Sequence, residues 1–244
     1  MQKRTYMMVF LVLSSLLARA QETFEGTISN WNGDEAIIGY YDIFNINLIP
    51  LGEIDTLGNF LMELEQDPIS RIMEKEAAAK DYPEEWKIKY HTLENYFGGE
   101  YSHLKIANDQ TLIAVLPEFH LTGKEDNLDK GVLLSVSSPA VADFLITWEE
   151  AALERGDYYL NWIFTNDEAE VTGYFTLSSL TGHEDEVVEI TTTLDLKFHK
   201  GWNILKTEFT EIHISENGNI NPTKVLISHI ETLPEDVKWL ALRD

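Results

Sequence analysis

Apolar and polar residues alternate over short segments through most of the chain, and a period of two is typical of half-buried β-strands. The alternation is clearest at Tyr158, Leu160, Trp162 and Phe164, which share one apolar face of a predicted strand. The same pattern predicts further strands at 23–28, 36–49, 111–121, 131–136, 142–148, 169–177, 188–198, 202–214, 225–229 and 237–239. Many short strands separated by turn residues are typical of an antiparallel β-sandwich, so the sequence predicts a mainly β fold.

A hairpin is predicted within residues 51–64, with its turn at 55–59. Asp55 can accept hydrogen bonds from its own turn backbone, because its carboxylate is short enough to reach it. Gly58 can adopt the positive φ that a tight turn needs. The two residues together predict where this hairpin reverses direction.

Residues 67–98 lose the alternation and favour helices. Asp67 can cap a helix N-terminus, and Pro68 suits the first helical position. A second helix is predicted over 86–97, and an extended 86–91 followed by a short helix at 92–97 is the alternative. These signals divide the chain into a signal peptide at 1–20, an N-terminal β-module at 21–66, a short helical connector at 67–110 and an antiparallel β-sandwich at 111–244.

The start of the chain has the pattern of a secretory signal peptide. Lys3 and Arg4 precede an apolar run over 7–18, and Ala18-Arg19-Ala20 has the small residues of a cleavage site. The run is shorter than the roughly 20 apolar residues of a transmembrane helix, although an uncleaved anchor is the alternative. The sequence therefore predicts an exported protein, located in the periplasm, at the cell surface or in the medium.

The chain is strongly acidic. Its 244 residues include 42 Asp and Glu against 18 Lys and Arg, which gives a formal net charge of -24. Because phosphate groups bind basic surfaces, this charge argues against nucleic acid and against an anionic membrane surface as partners. A protein or a glycan remains open as a partner. The absence of cysteine excludes disulfides, thiol catalysis and cysteine metal sites.

Two stretches of sequence carry a resemblance to known proteins. Phe24-Glu25-Gly26-Thr27-Ile28, followed by the hairpin residues 52–60, resembles the opening β-module of many exported bacterial envelope proteins. The same pattern is similar to one in carboxypeptidase-regulatory-like β-sandwiches. The stretch 195–203, which ends in Gly201-Trp202-Asn203, resembles other uncharacterised exported β-proteins of bacteria. The resemblance implies a β-sandwich without catalytic activity.

Two frequent catalytic motifs are missing from the sequence, which contains no G-x-S-x-G elbow and no H-E-x-x-H. Glu211 and His213 share a strand face and could supply two metal ligands, but a surface ion pair explains them as well. His229 lies on the apolar face of its strand, where a hydrogen-bonded core histidine is expected. A Ser-His-Asp site assembled from distant residues is the remaining enzymatic alternative.

Residues 125–131 place oxygen-bearing side chains at alternating positions, as calcium-binding loops do. Glu125, Asn127 and Asp129 are the candidate metal ligands. Lys130 stands where an EF-hand requires Gly, so this loop is no EF-hand and the predicted calcium site is a weak one. No other cofactor is predicted.

A glycan platform is predicted from strand pairing. The segments 157–165 and 169–177 are expected to form a hairpin, in which Asn161 faces Tyr174 and Tyr159 is their diagonal neighbour. Two aromatic rings beside an amide on an exposed face can stack a sugar and hydrogen-bond its hydroxyls. The alternative is that tyrosine is simply a favoured strand residue, or that residues 67–98 cover this face.

These observations favour an exported, non-enzymatic binding or structural module of the bacterial envelope or extracellular space. A glycan-binding β-sandwich that uses Tyr159, Asn161 and Tyr174 is the first alternative. A hydrolase with a distributed site is the second.

Overall fold

The computed structural model describes residues 22–41, 48–78, 91–99, 102–116, 118–147, 152–181, 186–216 and 218–242. Within these ranges the strands are β1 (Thr23–Thr27), β2 (Ala36–Tyr41), β3 (Leu48–Ile54), β4 (Asn59–Glu63), β5 (His91–Thr92), β6 (Ser102–Ala107), β7 (Leu112–Val115), β8 (Phe119–Gly123), β9 (Asp129–Val136), β10 (Tyr158–Thr165), β11 (Ala169–Leu180), β12 (Val187–Phe198), β13 (Gly201–Ile214), β14 (Ile220–Ile230) and β15 (Lys238–Leu242). The helices are α1 (Pro68–Ala78), α2 (Leu93–Phe97) and α3 (Pro139–Thr147). The predicted signal peptide at 1–20 lies outside the described residues, as do parts of the predicted segments 36–49 and 67–98.

These strands join one sheet, in the order β1-β4-β3-β2-β8-β9-β10-β13-β14-β12-β11-β6. Strand β15 lies beside β9, β7 lies beside β10, and β5 lies beside β7. Of the strand pairs in the described residues, β12 with β14 is parallel and the others are antiparallel. The mainly β fold predicted from the alternation of apolar residues is confirmed.

One hydrophobic cluster contains residues from both predicted β regions. Phe24 and Met62 from the N-terminal region pack in it with Trp162 and Trp239 from the C-terminal region. The rings of Phe24 and Trp162 meet edge to face, with centroids 5.8 Å apart. A parallel bridge between Ile28 and Trp239 also joins the end of β1 to β15. The segments 21–66 and 111–244 therefore contribute to one sheet and one core.

Strand β10 lies between this first cluster and a second one, and each of its two faces packs on one of them. One of its faces supplies the first cluster with Tyr158, Leu160, Trp162 and Phe164, as the alternation predicts. Its opposite face supplies the second cluster with Ile163, which packs there with Leu93 of α2 and Leu194 of β12. Successive strand residues point to opposite faces, so one strand can serve two cores.

The predicted hairpin at 51–64 forms between β3 and β4. Asp55 Oδ1 accepts hydrogen bonds from the backbone N–H groups of Leu57 and Asn59, at 2.8 and 2.9 Å. Gly58 has a φ of 84°, a conformation that residues with a side chain rarely adopt. Both predicted turn residues have the roles expected from the sequence.

Helix α1 begins where the sequence predicts. Asp67 Oδ1 caps it by accepting a hydrogen bond from the Ser70 N–H at 3.0 Å. On the same helix, Arg71 Nε donates to Glu65 at 2.9 Å and its Nη2 donates to the Tyr40 hydroxyl at 2.8 Å. The hydrogen bond from Arg71 to Tyr40 therefore joins α1 to β2.

The strand predicted at 142–148 is wrong, because residues 139–147 form helix α3. Val141 and Phe144 are buried, a spacing of three that suits a helix face rather than an alternating strand. Ser138 lies at the position where a helix-capping hydroxyl is favoured, and its Oγ accepts from the Val141 N–H at 3.4 Å. None of the helices in the described residues is long and apolar enough to cross a membrane.

The single strand predicted at 111–121 is instead two strands, β7 and β8, with different partners. Strand β7 pairs with β10 and β5, whereas β8 pairs with β2 and β9. The apolar pattern runs through both strands because β8 buries one face, while β7 buries Ile113 in the second cluster and Ala114 in the first. It therefore shows where strands form but not where the chain changes its partner.

Candidate functional site

A groove of about 520 Å³ opens on the face of β10 that lies opposite the first cluster. Its floor includes Ile163, Leu194 and Leu205, each almost completely buried. Helix α2 and the following Gly99 line one side, and β7 contributes Val115. The volume falls within the roughly 300–1,000 Å³ of small-molecule sites.

Two helices, α2 and α3, cover the sheet face on either side of the groove. Phe97 of α2 lines the groove and also packs on the second cluster. Tyr159 lines the groove and also packs on a third cluster, which α3 covers through Phe144. The rings of Phe144 and Phe209 meet edge to face at 5.4 Å in that third cluster. The sheet face between these covers is the floor of the groove.

The strand order gives the groove a polar side and an apolar side. The neighbouring strands β10 and β13 supply the polar side with Tyr159, Asn161 and Thr207. The next strands in the sheet, β14, β12 and β11, supply the apolar side with Ile227, Leu194, Phe175 and Leu177. None of the described residues that line the groove carries a charge.

Two tyrosines face the groove as neutral hydrogen-bonding groups. Burial raises the pKa of Tyr96 and of Tyr159 above the ordinary value. For Tyr159, a hydrogen bond with Thr207 lowers the pKa in part, and the Tyr96 phenol raises it further. A protonated phenol can both donate and accept, so the groove offers hydroxyl and amide groups within a mainly apolar surface.

The hairpin predicted between 157–165 and 169–177 is wrong. Strand β10 pairs with β13, β7 and β9, whereas β11 pairs with β12 and β6. Asn161 is consequently opposite Leu205 rather than Tyr174. The two segments have good strand patterns and a short connection, but each finds its partners elsewhere in the chain.

The structure brings together two of the three predicted ligand residues. Tyr159 and Asn161 both line the groove. Tyr174 is adjacent to the groove residue Phe175 and therefore points to the other face of β11. There its ring lies 4.9 Å from that of His103, with 46% of the residue exposed. Ligand binding by these side chains stays a prediction, and Tyr174 cannot share a site with the other two.

Two groove residues with hydrogen-bonding side chains were not identified as site residues from the sequence, Tyr96 and Thr207. Thr207 is the cross-strand partner of Tyr159, a contact that depends on the register of two strands far apart in the chain. Tyr96 lies on α2, which the alternative prediction of a short helix at 92–97 does contain. The predicted helix at 92–97 was the sequence signal from which the α2 side of the groove could be identified.

The candidate calcium ligands Glu125, Asn127 and Asp129 lie at the turn between β8 and β9. Asp129 Oδ1 accepts a backbone N–H at 2.8 Å, and Asn127 has a φ of 54°. The Lys130 ammonium lies 3.0 Å from Asp126 and supplies a positive charge to this acidic turn. The described residues contain no group of three or more His, Asp or Glu side chains that could hold a metal ion. The weak calcium site stays a prediction.

Glu211 and His213 have separate partners. Lys224 Nζ donates to Glu211 Oε2 at 2.6 Å, and His213 Nε2 lies 2.8 Å from Glu186 Oε1. Each of the two residues is thus engaged in an ion pair or hydrogen bond with a neighbouring strand segment. This favours the surface ion pair over the shared metal site.

A second cavity, of about 370 Å³, is lined by several titratable side chains. Glu22, His199 and Glu231 line it, and burial raises the pKa of Glu22 while His199 lowers it. The His229 ring meets the His199 ring at 5.4 Å. His229 is half-buried, its Nε2 has no hydrogen-bond partner in the described residues, and its Nδ1 is 3.8 Å from Glu231. Among the residues that the structure describes, the hydrogen bond predicted for His229 is therefore not formed.

His229 should make the protein less stable in mild acid. Burial lowers its pKa; Glu231 opposes this shift and His199 adds to it. Below about pH 6.5 the unfolded chain then binds a proton that the folded chain resists, so the free energy of unfolding falls as the pH falls. His229→Gln should flatten this part of the profile in urea unfolding, and His103→Gln on the exposed outer face should not. Equal slopes in wild type and His229→Gln would contradict the assignment.

Comparisons of the chain with protein families, with curated proteins and with solved structures give no match. The chemistry of the two cavities is therefore what supports a function for this chain.

Proposed function

We propose that this chain is an exported, non-enzymatic binding module of the bacterial envelope or extracellular space, and that the groove is its ligand site. One observation carries the proposal. A cavity of small-molecule size lies on a regular sheet face, with Tyr159, Asn161 and Thr207 converging at its polar side. Sites built on strands hold their side chains in place, which favours recognition of a defined ligand.

The chemistry of the groove supports binding rather than catalysis. General acid–base catalysis is most efficient when the catalytic pKa is near the working pH. The lining residues in the described part of the chain include neither carboxylates nor imidazoles nor amines. Its tyrosines have a pKa raised by burial, further from neutrality. Such a groove can orient a ligand, but its described side chains are poorly suited to general acid–base catalysis.

Export is supported by the sequence pattern at residues 1–20, where a basic start precedes an apolar run and a small-residue cleavage site. The strong negative charge is consistent with a partner other than nucleic acid or an anionic membrane. A glycan remains the alternative ligand, since Tyr159 can stack a sugar and Asn161 can hydrogen-bond one. Tyr174 has no part in that alternative site.

Thermal unfolding with a panel of soluble glycans and neutral amphiphiles tests the groove. A groove ligand at a hundredfold excess over its dissociation constant should stabilise the purified chain by about 2.7 kcal/mol. Asn161→Ala and Tyr159→Phe each remove one hydrogen-bonding group, so each should weaken binding by roughly fivefold to tenfold. Tyr174→Phe makes the same change as Tyr159→Phe but on the opposite face, and should leave the shift unchanged.

The matched tyrosine variants separate the two faces. If Tyr174→Phe abolishes a shift that Tyr159→Phe and Asn161→Ala retain, the ligand binds the outer face and the groove proposal is wrong. If no member of the panel shifts the unfolding midpoint, a neutral fluorescent probe should still report whether the groove is accessible.

A further inference from the structure

We infer that the groove takes an uncharged single-chain amphiphile, in which an acyl chain carries a small hydroxyl-bearing head group, as in a monoacylglycerol. This inference rests on the proposed function of the groove as a ligand site. The lining has three properties that bear on it: an apolar side, a polar side restricted to two strands and one helix, and no charge among the described residues.

The apolar side is mostly aliphatic. Its residues Leu177, Leu194 and Ile227 come from three consecutive strands of the sheet. Binding of a flexible hydrocarbon chain against branched aliphatic side chains is favourable, because the contact removes apolar surface of both from water. A sugar would leave most of its hydroxyls unpaired on this side, and unpaired buried hydroxyls are costly. The apolar side therefore favours an acyl chain over a glycan.

The polar side is suited to a small neutral head group. Tyr159, Asn161 and Thr207 are neighbours in the β10–β13 pair, and Tyr96 faces them from α2. Asn161 is exposed and Tyr96 is 47% exposed, so these two lie at the mouth of the groove. Hydroxyl and ester oxygens can donate to or accept from phenol and amide groups without any ion pairing.

Because the described lining carries no charge, we expect the groove to bind a neutral lipid more tightly than an ionised fatty acid. A carboxylate that enters the groove loses water and meets no cation among the described lining residues, which is costly. The acidic chain, with a net charge of -24, adds a repulsive field. The free acid should therefore bind much more weakly than the monoacylglycerol with the same chain.

Displacement of the neutral fluorophore N-phenyl-1-naphthylamine from the purified full chain tests the inference, with monolaurin compared against laurate at a pH where laurate is ionised. Both lipids are used below the concentration at which they self-associate. Monolaurin should displace the fluorophore with an affinity at least about tenfold higher than laurate. Leu177→Lys places a cation on the apolar side and should raise laurate affinity about tenfold. The control Leu180→Lys lies on the opposite face of β11 and is 66% exposed, so it should change neither affinity.

Each outcome of this experiment supports or overturns a stated claim. Laurate binding as tightly as monolaurin, or no gain of laurate affinity in Leu177→Lys, would overturn the ligand class. A soluble glycan that displaces the fluorophore when monolaurin does not would also overturn it, while the groove itself stands. If the fluorophore binds and Tyr159→Phe, Asn161→Ala and Leu177→Lys all leave its affinity unchanged, the proposed function fails as well. Failure of the fluorophore to bind the folded chain at all has the same consequence.

Discussion

Asn203→Asp is expected to destabilise the protein by about 3 kcal/mol or more at neutral pH. The Asn203 side chain is completely buried. Its Nδ2 donates to the carbonyl oxygens of His199 and Gly201 at 2.9 and 3.0 Å, and its Oδ1 accepts from the His199 N–H at 2.9 Å. A carboxylate would replace this donor with an acceptor that faces carbonyl oxygens, at a position shielded from bulk solvent.

The loss of unfolding free energy in Asn203→Asp should depend on pH. The buried carboxyl introduced by Asn203→Asp would have a folded pKa above its unfolded value, so the destabilisation is present at high pH and shrinks as the pH falls through the folded pKa. Urea unfolding at several pH values measures this. Asn161→Asp makes the same chemical change at an exposed position on β10 and should cost less than about 0.5 kcal/mol. Equal midpoints for wild type and Asn203→Asp would show that the buried amide does not organise the β12–β13 turn.

Trp239→Ala is expected to cost about 3–5 kcal/mol of unfolding free energy. The Trp239 side chain is 4% exposed, and its ring contacts Phe60, Phe119 and Trp162 at centroid distances of 5.0, 6.3 and 6.0 Å. Removing the indole leaves a cavity lined by rings from three other strands, and rigid rings close such a cavity poorly. Denaturant unfolding followed by circular dichroism checks the prediction.

Lys238→Ala provides the matched control for this variant. Lys238 is the preceding residue on β15 and is exposed, so its truncation should change the free energy of unfolding by less than about 0.5 kcal/mol. A loss below about 1 kcal/mol in Trp239→Ala would mean that the surrounding rings collapse into the space. It would also mean that the two β regions are joined mainly by the sheet rather than by this cluster.

The parts of the fold that were predicted correctly depend on residues close together in sequence. The apolar face of β10, the turn at Asp55 and the cap at Asp67 each follow from short-range rules of periodicity, turn geometry and capping. The error at α3 has a local cause as well. Apolar residues occur at both periods of two and spacings of three over 139–147, and the capping residue Ser138 is the signal that would have favoured a helix.

The candidate site was only half predicted because it depends on strand order. Tyr159 and Asn161 were placed correctly on the face opposite Trp162, which is a property of β10 alone. Thr207 joins them through the β10–β13 register, and Tyr174 is removed from them because β11 pairs with β12 and β6. Short connections usually favour hairpins, but here the strands that follow in sequence are separated in the sheet by three others.

The bridge between Ile28 and Trp239 has a consequence for how this chain reaches its folded state. It joins the end of β1 to β15, so the first cluster, which contains Trp239, is not complete until the last described strand is available. Contacts between residues so far apart in sequence raise the contact order, and proteins of high contact order fold slowly. The export proposed above would benefit from this delay, because a chain whose core needs β15 stays unfolded for longer after synthesis.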